Sequence, residues 1–63
     1  MRVGDLVRVF NIWIKPGESD LAVYLSDHPV VDAFSMECTI LWNGSIVSTT
    51  HENLQIVSEH EGG

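Results

Sequence analysis

Alternation of apolar and polar positions recurs along most of this chain, in short runs broken by turn residues. Leu6-Val7-Arg8-Val9 opens the first run after a bend at Gly4-Asp5, with Val7 and Val9 inward and Arg8 outward. β-Branched and aromatic residues continue it through Phe10, Ile12, Trp13 and Ile14, so the pattern predicts a first strand reaching Ile14. Pro16-Gly17 then supplies a turn, because proline presets one central position and glycine accepts positive φ at the next. The loop from Lys15 to Asp20 leads to a second strand at Leu21–Ser26, with Leu21, Val23 and Leu25 sharing a face. Asp27-His28-Pro29 ends it, since proline cannot donate to a ladder. Val30 to Ser35 reads either as a loop that lays Val31 and Phe34 on the domain or as an irregular edge strand.

The strongest local signal is Asn43-Gly44 between two β-rich runs. A type I′ turn needs positive φ at both central residues, and these two tolerate it best. A two-residue loop also sets the register. Trp42 faces Ser45, Leu41 faces Ile46, Ile40 faces Val47 and Cys38 faces Thr49. Opposed residues share a face. Met36, Cys38, Ile40, Trp42, Val47 and Thr49 therefore make the core face, and Leu41 and Ile46 form a small apolar patch on the other. His51-Glu52-Asn53 reads as one 3-10 turn. Leu54 to Ser58 reads as the last strand, with Leu54 and Ile56 inward. Five short strands without a crossover helix predict an all-β domain, and closure into a small barrel would remove its edges. The domain spans residues 1–58; Glu59 to Gly63 reads as a flexible acidic tail.

Three stretches here resemble parts of small SH3-like barrels, the first two being Met1-Arg2-Val3-Gly4-Asp5-Leu6-Val7-Arg8-Val9, like their opening, and Ile40-Leu41-Trp42-Asn43-Gly44, like their distal hairpin. Asn53-Leu54-Gln55-Ile56-Val57-Ser58-Glu59 resembles their 3-10 turn and closing strand. The combination is most similar to short open reading frames of tailed bacteriophages, notably those of marine cyanobacteria. The likeness covers most of the chain in outline and is thinnest over Asn11 to Ser35. It implies a five-stranded SH3-like barrel with a 3-10 turn before the last strand, and it carries no activity.

Size and charge narrow the function. Sixty-three residues make one domain, and a chain this short buries only about 60% of its unfolded surface. Cys38 is the only cysteine, so no internal disulfide can reinforce the core, and its solitude fits a reducing interior. Neither an apolar signal core nor a run near the length of a membrane span is visible. The expected location is intracellular, in host cytoplasm if a phage encodes the chain. Asn43-Gly44-Ser45 matches a glycosylation sequon but reads as a turn. Three basic residues, Arg2, Arg8 and Lys15, stand against nine acids, for a net charge of -6. That field repels phosphate, so nucleic acid is a disfavoured partner, and a membrane is not expected either.

The candidate chemistry is thin. Cys38 lies between Met36 and Ile40 on the core face, where cysteine acts as a small inert hydrophobe. Asp27, His28 and Asp32 share one loop, with His51 and His60 elsewhere, but no ligand spacing links them into a metal site. No catalytic set, cofactor or metal is expected, and the reading is non-enzymatic. What stands out is a surplus of apolar residues. Phe10, Ile12, Trp13 and Ile14, then Val30, Val31 and Phe34, exceed what a tiny core covers, unless Val30 to Phe34 folds over the open end of its own barrel, and an exposed apolar patch usually marks an interface. From this surplus come Phe10, Ile12, Trp13, Ile14, Val31 and Phe34, to which Tyr24 is added. They are the candidate interaction surface for a protein partner, a second copy of the chain included. An accessory subunit of a host enzyme and a nucleic-acid-associated barrel are the alternatives.

Overall fold

The computed structural model describes residues 1–30 and 36–58. These contain five strands: β1 (Leu6–Val9), β2 (Leu21–Ser26), β3 (Cys38–Trp42), β4 (Ser45–Thr49) and β5 (Leu54–Ser58). A single 3-10 turn, His51–Asn53, precedes β5. The fold is all-β, one antiparallel sheet in the order β4-β3-β2-β1-β5. Val31 and Phe34 lie outside the described residues, as does the Glu59 to Gly63 tail.

The β3–β4 hairpin has the register that its turn dictates, Trp42 opposite Ser45 through to Cys38 opposite Thr49. Asn43 and Gly44 take φ of 47° and 78°, the doubly left-handed turn that matches strand twist. Pro16-Gly17 also turns as its residues require: the Glu18 N–H donates to the Lys15 carbonyl at 3.0 Å, with Gly17 at φ 90°.

Val7, Val9, Ala22, Tyr24, Cys38, Ile40 and Leu54 form the core, with Trp42 and Val47 packed against it. On β2 the inward residues are thus Ala22 and Tyr24, opposite Trp42 and Ile40. Leu21, Val23 and Leu25 share the outer face.

Three expectations need correction. The sheet is open: among the described residues no ladder joins β4 to β5, so the closed barrel is not formed. The 3-10 turn carries the chain from β4 into β5, which pairs with β1 at the opposite side of the sheet. The first strand stops at Val9, not Ile14. The Phe10 N–H donates to the Asn53 carbonyl at 2.7 Å, and Asn11 then turns to φ 58°, which no strand tolerates. Ile56 shares the inner face with its partner Val7, yet 38% of it is exposed, because β5 is an edge strand with no described strand beyond it.

Candidate interaction surface

β1 hands the chain to an arch, Phe10 to Ser19, that both ends of the sheet hold in place. At its start, the Asn11 side-chain amide donates to Asn53 Oδ1 at 2.9 Å. That bond offsets the left-handed backbone of Asn11, a conformation asparagine adopts more readily than most residues. At its end, Trp42 Nε1 donates to the Ser19 carbonyl at 2.7 Å and Asn43 grips the same residue. Between these anchors Phe10 and Ile12 are exposed, and Trp13 is 74% exposed. Ile14 is half-buried.

The arch overhangs a groove of about 130 Å³ on the inner face of the open sheet. Val9, Ile40, Trp42 and Val47 give it apolar lining from the strands, and Phe10 and Ile12 from the arch. Asn11, Ser48, Thr49 and Asn53 add amides and hydroxyls. A dry apolar cavity of about 150 Å³ holds a benzene ring, so the groove is sized for one apolar side chain. Of the seven candidate residues, the structure thus joins Phe10, Ile12 and Trp13 on one surface with Ile14 beside them. The sequence reading missed the contribution of Trp42 and Val47, which it had assigned to packing alone.

Tyr24 does not belong to that surface. Its side chain has no exposure. The phenol donates to Asp27 Oδ1, and its oxygen lies 2.9 Å from His51 Nε2. A phenol has one proton to give, so the second bond is donated by Nε2–H. Glu37 Oε1 in turn accepts from the His51 backbone N–H at 2.9 Å and stands 3.6 Å from Nδ1. Burial foremost, then the hydrogen bond and charge of Asp27, push the phenol's pKa above its ordinary value, with smaller contributions from Cys38 and Glu37. Partners for the hydroxyl explain why tyrosine takes an interior site that a pattern of leucine and valine would have claimed. Burial likewise raises the Cys38 thiol, with Glu37 and Asp27 adding to it. A protonated, buried thiol is a poor nucleophile. Asp27 and His28 are exposed; Asp32 and His60 lie outside the described residues, among which no group of three or more histidine, cysteine or acidic side chains is placed to hold a metal ion.

The outer face carries a second apolar feature. Register sets Leu6 beside Val23, Val23 beside Leu41 and Leu41 beside Ile46, a row across four strands. Ile46, at its end, is 64% exposed. The hairpin spacing alone located Leu41 and Ile46; their continuation into Val23 and Leu6 depends on pairings between distant segments.

No protein-family model, curated protein or solved structure matches the chain. Among the described residues no helix is long and apolar enough to cross a membrane.

Proposed function

We propose that the chain is a non-enzymatic protein-interaction module, phage-encoded and acting inside the host cell, which engages a protein partner through the Phe10–Trp13 arch and the groove beneath it. The observation that carries this reading is Trp13, 74% exposed beside Phe10 and Ile12 on an arch pinned at both ends. Anchoring the ends of the arch lowers the ordering that binding costs, and tryptophan is enriched among the residues that carry most interface energy. An SH3-like chain path is part of the proposal. The 3-10 turn directly before β5 and the return of β5 onto β1 support it, with the sheet left open.

The test is capture from cyanobacterial host lysate by the tagged chain and by its Trp13→Ala variant, each with and without nuclease, read by mass spectrometry. One host protein that survives nuclease and is lost with Trp13→Ala is the expected result. Equal capture by the variant would remove the arch from the interface. Loss of capture on nuclease treatment would point to nucleic acid instead.

A further inference from the structure

The sheet has two edges, and they differ. On β4, Ser48 Oγ accepts from the Val30 N–H at 2.9 Å, so part of that strand is engaged. The outer edge of β5 pairs with no described strand. Its free backbone groups follow from the ladder. The Val9 N–H is committed to the Asp20 carbonyl, on the β2 side, at 2.8 Å. Residues along an antiparallel strand alternate between neighbours, so Val7 and Val9 bond toward β2 and Arg8 toward β5. Gln55, opposite Arg8, therefore bonds inward to β1, while Leu54 and Ile56, opposite Val9 and Val7, turn their N–H and C=O outward. The 3-10 turn uses the Leu54 N–H, which donates to the His51 carbonyl. Among the described residues, the Leu54 carbonyl and both backbone groups of Ile56 are left at the edge without a strand partner.

Natural sheets blunt such an edge with lysine, proline or an inward charge. β5 is Leu-Gln-Ile-Val-Ser and has none of these. Its one irregularity is a slip in register at Val57, which leaves the stretch from Leu54 to Ile56 straight. Charge selects the occupant. The chain carries -6, exposed Glu52 stands just before the strand, and Glu59 and Glu61 follow it in sequence. Arg8, on the adjacent strand, is already paired with Asp20 at 3.1 Å. A second copy would bring the same sign to the contact, whereas a basic segment brings the opposite one.

We propose that the free edge of β5 is a strand-addition site for an extended, basic segment of a partner protein. The segment adds antiparallel to β5, bonds the outward groups of Ile56 and Leu54, and lays an apolar side chain beside Ile56. Its lysines or arginines lie toward the Glu52 end. This site is separate from the arch and does not depend on it.

The experiment is a titration of the isotope-labelled chain, followed by amide NMR, with a short blocked peptide alternating lysine and valine. A peptide with glutamate in place of lysine is the control. Expected are shift changes centred on Ile56, slower solvent exchange of its amide, and weakening as salt screens the charges. Ile56→Pro removes the outward N–H while sparing the β1 ladder, and abolishes binding. Glu52→Lys, on an exposed side chain outside the core, weakens it several-fold at low salt. Equal binding of both peptides, shift changes confined to the arch or β4, or no shift change at all would overturn the proposal. So would concentration-dependent protection of the Ile56 amide without peptide, which would assign the edge to a second copy.

Discussion

The side-chain amide of Asn43 meets the backbone of Ser19 at both ends: Oδ1 accepts from the Ser19 N–H and Nδ2 donates to the Ser19 carbonyl, each at 3.0 Å. The residue that opens the two-residue β3–β4 turn also fastens the far end of the arch. Asn43→Gly keeps the left-handed turn and loses the clamp, and is expected to cost about 1 kcal/mol. Asn43→Ala loses the clamp and adds a penalty of about 1 kcal/mol for positive φ. Urea midpoints of the two variants separate these contributions; a glycine variant as stable as the parent would show that the clamp adds nothing.

Tyr24 ties the core to alkaline pH. Its folded pKa lies above its unfolded value, which is about 10. The stability it contributes is therefore whole below about pH 10 and is lost as pH rises from there toward the folded value. Tyr24 is the only tyrosine, so tyrosinate absorbance reports on it alone. The expected titration shows no ionisation where free tyrosine ionises, and a signal that appears together with unfolding. Tyr24→Phe removes this alkaline dependence and costs about 1 kcal/mol at neutral pH.

Cys38 offers a second internal reporter. The thiol is fully buried and donates to the Thr49 carbonyl at 3.5 Å. At neutral pH a thiol reagent is expected to modify it only as fast as the chain opens, and instantly in denaturant. Rapid modification of the folded chain would contradict the packing of β3 against β4.

The surface and the core separate cleanly by substitution. Trp13→Ala is expected to shift stability by less than about 0.5 kcal/mol while removing partner capture. Ile40→Ala, at a site with 1% exposure, is expected to cost about 3 kcal/mol. Thermal melts of both variants beside the capture assay make the comparison.

The parts legible in the sequence were those governed by neighbours along the chain. Asn43-Gly44 dictates the hairpin register without help from elsewhere, and Pro16-Gly17 and His51–Asn53 act just as locally. What escaped depended on distant partners. Trp13 and Ile14 have strand-like neighbours, yet the chain turns left-handed at Asn11, whose side-chain amide donates to Asn53, and β1 ends early. Tyr24 read as a surface aromatic, because its partner His51 lies 27 positions away. The groove needs Val47 of the hairpin and Ile12 of the arch on the same side of an open sheet, and periodicity says nothing of that.

The pairing of β5 with β1 joins the two ends of the described chain, and this sets an order of events in folding. Closing the β3–β4 hairpin spans two residues, whereas closing β1 on β5 spans nearly the whole domain. The entropy of closure grows with the loop that is shut, so the hairpin forms first and the terminal pair last. Substitutions around Asn43 are then expected to slow refolding, and those in β5 chiefly to speed unfolding, in stopped-flow measurements. The last strand to arrive is the first to leave, so brief native-state openings start at β5 and bare the outer edge of β1.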